Sequence, residues 1–197
     1  MIKAYFRLDA NEIEKRLGSL YAKAPVVMSR AANRSVGTVR KDVKKEATRR
    51  YKTTSTDVGK TIGTKSATRA FPYAIIAITD KHINLARFRV TPNHPVQLLE
   101  GRERNPKAYR ASVKKGQADV ALTKGNKPFI AVMKSGHVGM FRRTSPLRSA
   151  PIKGVSGPST PQMIQNTEVM HVIEENAADM MQKRVEHEIS RVLEGGG

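Results

Sequence analysis

The chain has 197 residues, of which 39% are hydrophobic and 5% aromatic, with no Trp and no Cys. The missing Cys excludes disulfides, thiolate zinc sites and cysteine nucleophiles, and fits a reducing compartment. Lys and Arg number 36 against 17 Asp and Glu, a formal net charge of +19 that points to a polyanion or to acidic protein surfaces as partner.

So small an apolar and aromatic share predicts that some segments gain order only on other subunits. The N-terminal residues reach acids and bases too soon for a signal-peptide core. The longest apolar run, residues 73–78, is far below the roughly 20 needed to span a bilayer, so a soluble protein with no membrane partner is expected. Charge is uneven: residues 1–60 and 61–165 carry +9 and +14, and residues 166–197 carry −4. The acidic end could pair with the basic body of an adjacent copy.

Asp9 and Asn11, followed by Glu12 and Glu14, make a helix start. Ile13, Leu17, Leu20, Tyr21 and Ala24 continue at helical spacing, and Pro25 marks either a kink or the first turn of a second helix. Val27, Ala31, Val36, Val39, Val43 and Ala47 extend the stripe, with Arg30, Arg34, Arg40, Lys41, Lys45 and Arg49 opposite. These predict a long, kinked helix over 10–50, whose basic face is either solvated or turned to a partner. Ser55-Thr56-Asp57 would cap a short helix reaching Ile62. Gly59, Gly63, Lys65 and Ser66 have the wrong spacing for a phosphate loop, which places Lys directly after the second Gly.

Residues 71–79 and 82–91 read as a β pair around Asp80-Lys81, and residues 92–106 as a proline-rich loop. Two short strands follow at 108–114 and 118–123. Residues 127–133 and 138–143 then form a hairpin, with Gly136 free to take positive φ in the turn. Residues 144–165 are a basic arm punctuated by Pro and Gly, too polar for a core strand. Val169, Ile173, Ala177, Val185, Ile189 and Val192 give a last helix over 167–194, ended by Gly195. The expected fold is a single α+β domain over 1–197: long N-terminal helix, a β-rich and mainly antiparallel body over 71–143, the arm, and a C-terminal helix.

Chemistry is sparse. His171 with Glu174 and Glu175 shares one helical turn, but two group types make an incomplete metal site and no second His stands at i+4. Asp80, Glu100, Glu103 and Asp119 are the carboxylates from which a nuclease would have to assemble an acid–base pair. No catalytic, cofactor or metal residue is therefore assigned. Tyr51, Phe88, Tyr109 and Phe141 are too scattered in sequence to define a stacking platform.

Several segments in order carry a likeness to a known family. They are Arg30-Ala31-Ala32-Asn33-Arg34 with Val39-Arg40, Ile83-Asn84-Leu85 with Phe88, and Lys127-Pro128-Phe129-Ile130-Ala131. Then come Gly136-His137-Val138-Gly139-Met140-Phe141-Arg142-Arg143, Pro151-Ile152 and Gly157-Pro158-Ser159. Together with the final helix they resemble the prophage minor tail protein Z family, tail-completion proteins of long, non-contractile-tailed bacteriophages. The resemblance implies a structural, non-catalytic virion protein at the head-proximal end of the tail, acting in tail completion and head–tail joining and made in the host cytoplasm. It also implies a homo-oligomeric ring, for which six copies are expected, touching the tail terminator, the connector and packaged DNA. Arg142, Arg143, Arg148 and Lys153, with His137 and Phe141, are the candidates for a subunit contact or the DNA lumen. A non-sequence-specific nucleic-acid-binding protein is the other binding reading, and a nuclease the enzymatic one.

Overall fold

A computed structural model describes residues 1–94, 108–147 and 149–195. Residues 95–106 of the expected loop and Arg148 lie outside the described residues. In chain order the elements are β1 (Ile2–Phe6), α1 (Ala10–Leu17), α2 (Ala24–Arg50), α3 (Ser55–Gly59), β2 (Ile62–Lys65), β3 (Ala74–Ile78), β4 (His82–Asn84) and β5 (Arg89–Thr91). They continue as β6 (Arg110–Ser112), β7 (Val120–Ala121), β8 (Phe129–Val132), β9 (Val138–Arg143), β10 (Ile152–Gly154), β11 (Ser156–Ser159), α4 (Thr160–Ile164) and α5 (Thr167–Leu193). The chain is α+β, with long helices near both ends and several small antiparallel sheets. It forms two compact units. One takes in Met1–Glu46, Gly59–Asp80 and the described residues from Ile164 onward; the other takes in Ala47–Val58 and the described part of Lys81–Met163.

In the first unit, Asp9 caps α1 by accepting the Asn11 N–H at 2.9 Å, and Glu12 and Lys15-Arg16 suit the two ends of the helix dipole. Gly18 closes α1 at φ 55°, and a tight 3-10 turn over Gly18–Lys23 makes the expected kink before α2. Pro25 stands in the first turn of α2, where its missing N–H costs nothing. The apolar stripes of the three helices meet: Ile13 and Leu17 of α1, Ala24, Val27, Met28 and Ala31 of α2, and Val185, Ile189 and Val192 of α5. Each fully buried Val, Leu or Ile here contributes about 1.5–3 kcal/mol. Glu188 is buried on the same face of α5, with Arg30 at 3.6 Å.

The sheet order is β1-β3-β2, antiparallel throughout, with Ile2 and Ile62 both opposite Ile78. Ile2, Ala4, Phe6, Ile76 and Ile78 point inward and line a small apolar cavity of about 100 Å³ with Val39 and Val43 of α2 and Ile173 of α5. The Asn33 amide clasps Ala67, donating to its carbonyl at 3.0 Å and accepting its N–H at 2.7 Å.

The structure corrects five local expectations. Residues 71–79 and 82–91 do not pair with each other: β3 bonds β1 and β2, β4 bonds β11, and β5 bonds β6. The run 82–91 is itself interrupted at Leu85–Arg87 by a 3-10 turn whose cap is Asn84. β1 was not anticipated, although Ile2, Ala4 and Phe6 alternate with Lys3 and Tyr5. The short helix is capped by Thr54 and ends at Gly59, while Ile62 begins β2. The polar segment after the hairpin is not left without intramolecular partners, since β10 and β11 both pair within the chain.

Arg16 forms a two-pronged bond to Glu186 of α5, which raises the Arg16 pKa and holds the Glu186 carboxyl below its usual range. The pair's contribution is present above the unfolded carboxyl pKa and lost as pH falls through the depressed folded value. Arg16→Ala should return the Glu186 titration, followed by NMR, to the ordinary range. In the exposed middle of α2 an added methyl at Gly37 meets nothing within 4 Å. Gly37→Ala should therefore stabilise the chain by about 0.5–1 kcal/mol in urea unfolding.

Candidate functional site

The second unit carries the hairpin and its basic continuation. β8 and β9 pair from Phe129↔Phe141 to Val132↔Val138, and the turn closes through Gly136 N–H to Met133 O at 2.8 Å. Gly136 has φ 77°, which explains the glycine. β9 is the central strand, because β10 joins its other edge with Arg143, Arg142 and Phe141 opposite Ile152, Lys153 and Gly154.

At the end of that ladder, where the Val155 N–H bonds Met140 O at 2.8 Å, Asn84 joins in. Its amide donates to Met140 O at 3.1 Å and accepts the Met140 N–H at 2.9 Å, while also accepting the Ala86 N–H at 3.0 Å. A side chain at Gly139 or Gly154 would bring a Cβ to 3.2 or 3.4 Å of the Asn84 amide nitrogen. The two glycines therefore leave room for a flat amide against the strands. β11 pairs β4, and the Phe88 ring lies over Gly157 so closely that a Cβ there would be 2.4 Å from it.

The six sequence candidates separate into different roles. Arg142 and Lys153 are brought together, directly opposite in register on one face of the sheet. The Arg142 guanidinium lies against Gly125, and among the described residues no carboxylate pairs with Arg142 or Lys153. Arg143 points to the other face, 5.7 Å over the Phe129 ring, and donates to Ala150 O at 3.1 Å. Phe141 is buried in its own sheet, with its ring centroid 6.4 Å from that of Phe129. His137 is exposed beside the hairpin turn, and Arg148 is outside the described residues. Lys127, Asn126 and Pro146, with Phe129 and Arg143, line a cleft of about 350 Å³ that the sequence reading did not single out. The clustering of Lys124, Lys127 and Asn126 before the hairpin was the available signal.

The carboxylates of this unit among the described residues are already engaged. Asp57 faces Arg87 at 3.9 Å, and Asp119 faces Arg89 at 3.4 Å and Lys52 at 3.9 Å. Buried Tyr109 has its phenol held above the ordinary tyrosine range by desolvation, with the backbone of Ile130 acting the other way. Among the described residues no three His, Asp or Glu gather as a metal site, and His171 in the first unit meets only Glu175, at 3.2 Å. No described helix is long and apolar enough to cross a membrane.

What these residues offer chemically is cationic contact. The family model for prophage minor tail protein Z matches residues 10–194. The chain belongs to the prophage minor tail protein Z family. Searches of curated proteins and of solved structures find no match. Membership makes the protein a structural component of a phage tail, and so of the virion; such a family implies no enzymatic activity. The match takes in every segment that carried the sequence likeness, including Asn84, Phe88 and Gly157.

Gly157→Ala should destabilise this tail protein by about 1–3 kcal/mol, the usual cost of overpacking, because the Phe88 ring has to move. Chemical denaturation of the full chain reads it. Gly157→Ala as stable as the parent would show that the ring is not confined there.

Proposed function

We propose that this minor tail protein completes the tail at its head-proximal end and joins tail to head as one subunit of a homo-oligomeric ring, with six copies the expected number. Its neighbours in this reading are the tail terminator, the connector and, without sequence preference, the packaged DNA; assembly takes place in the host cytoplasm. The observation that carries the reading is the pairing of Arg142 with Lys153 across β9 and β10 with no carboxylate partner. Like charges directly opposite in a sheet oppose each other, so this face is stabilised by an anionic surface supplied from outside the chain. Acidic protein or DNA phosphate satisfies that requirement equally. Arg143 differs, since its hydrogen bond and ring contact serve the fold.

The test follows from that difference. Arg142→Glu combined with Lys153→Glu should leave thermal unfolding close to the parent's and lower the yield of infectious particles by at least about tenfold, the effect of some 1.4 kcal/mol of lost contact. Electron micrographs should show separate heads and tails. Unchanged infectivity would remove this face from head–tail joining.

The second reading, a non-sequence-specific nucleic-acid-binding protein, rests on the same cations. It predicts salt-dependent binding of duplex by purified monomer, and a salt slope reduced by about one for each phosphate-contacting cation removed. Duplex binding without any ring, together with normal tail joining by the double variant, would favour it.

A further inference from the structure

The first unit has a sheet face that the tail-joining reading leaves unused. β1, β3 and β2 bury one side, through Ile2, Phe6, Ile76 and Ile78. Alternation puts Lys3 and Tyr5 of β1 on the other side, opposite Ala77 and Ile75 of β3, with Gly63 and Lys65 of β2 flanking them. One residue beyond the last registered pair, Arg7 and Tyr73 come together in a cleft of about 810 Å³, within the size range of ligand clefts. Phe71 joins them there, edge-on to Tyr73 at 6.4 Å.

Aromatic side chains are scarce in this chain, and most of the others are buried. Tyr5 and Phe71 are each 63% exposed and Tyr73 is 36% exposed, whereas Phe6, Tyr51, Phe88, Tyr109 and Phe141 are buried. Exposed rings carry a hydration cost that packing elsewhere would have relieved. Their concentration on one face is therefore a feature of the surface and not of the core. The charges beside them are mostly positive: Lys3, Arg7 and Lys65 are exposed and make no ion pair among the described residues. Asp9 also lines the cleft and caps α1 through the Asn11 N–H, so one negative charge stands against the three cations.

We infer that this face binds single-stranded nucleic acid, with bases stacking on Tyr5, Phe71 and Tyr73 and backbone phosphates meeting Lys3, Arg7 and Lys65. Flat rings set among unpaired cations on an open antiparallel sheet match the two requirements of such binding, a π-face for unpaired bases and positive charge along the backbone. A duplex satisfies only the second, because its bases are stacked on one another. An acidic helix from a second copy also satisfies only the second, since its carboxylates have no use for exposed ring faces.

The full-length protein is titrated with fluorescein-labelled dT12, with U12 and with a 12-base-pair duplex, and anisotropy is read. The parent should bind both single strands more tightly than the duplex; the dT12 to U12 ratio separates DNA from RNA as the source. Tyr5→Ala and Phe71→Ala, which leave every charge in place, should each weaken single-strand binding about five- to a hundredfold and leave duplex binding unchanged. Tyr5→Phe and Tyr73→Phe, which keep the ring, should bind like the parent. Because these side chains are exposed, unfolding midpoints serve as a fold control, and the Phe variants keep the test open if an Ala variant misfolds. Equal loss of single-strand and duplex affinity, or none, would overturn the inference. So would a parent that binds no single strand, or Ala variants whose only change is a smaller assembled mass, which would make the face a contact between copies.

Discussion

The second unit depends on one side-chain amide. β10 is in register with β9 as far as Gly154, and the Val155 N–H still reaches Met140 O at 2.8 Å, but the Met140 N–H would be left without a backbone partner. Buried backbone groups left in that condition cost about as much as a lost hydrogen bond, typically 1–3 kcal/mol. Asn84 removes the cost by imitating a peptide: one donor and one acceptor, correctly spaced, reach the Met140 O and N–H together. Its carbonyl oxygen also caps the turn that ends β4, so the same atom fixes where β4 stops and where β9 docks. Asp could accept but not donate, and Gln would carry its amide one methylene too far. The first unit uses the same device, with Asn33 clasping Ala67.

That constraint determines what the candidate face can present. With β9 pinned between β8 and β10, Arg142 cannot slip register away from Lys153 without turning Met140 and Phe141 to the wrong sides. A lysine on an exposed edge strand such as β10 has a purely structural explanation, since charge discourages another chain from adding to the sheet. Arg142 has no such explanation, because it stands on the central strand. The opposed pair is thus the part of the basic surface that edge protection leaves unaccounted for.

Much of this was legible in the residues. The β8–β9 hairpin is written in Lys134-Ser135-Gly136 between two short apolar runs, and α5 in the spacing of Val169, Ile173, Val185, Ile189 and Val192. Pairing between distant strands was not legible. Adjacent runs at 71–79 and 82–91 suggest a hairpin, but β3 finds better partners in β1 and β2, where Ile2, Ile62 and Ile78 share one buried face. Nor does local pattern reveal an amide that bonds a peptide 56 residues away. Arg142, Arg143 and Lys153 could be chosen as basic, but only the β9–β10 register divides them into an opposed pair and a residue that serves the fold. The exposed rings of Tyr5, Phe71 and Tyr73 were missed for the same reason: two of them stand after β2 and one before α1, so only the sheet assembles them.

Charge is also divided between the units. In the second, Asp57 and Asp119 are held by internal cations, and Arg142 and Lys153 have no carboxylate among the described residues to answer them. In the first, the N-terminal half of α5 carries Glu168, Glu174 and Asp179, all exposed and without a cationic partner among the described residues. A single copy thus bears unanswered charge of both signs on different parts of its surface. Exposed pairs contribute little to affinity, about 0–1 kcal/mol each, and salt screens them. Their effect lies in orientation and encounter rate, where opposite surfaces meet quickly and like surfaces are rejected. Unanswered charge of this kind is suited to orienting an approaching surface rather than to holding it. Apolar side chains are exposed as well, Val172 in the first unit and Leu147 and Ile152 in the second, where burial would contribute more than a screened ion pair.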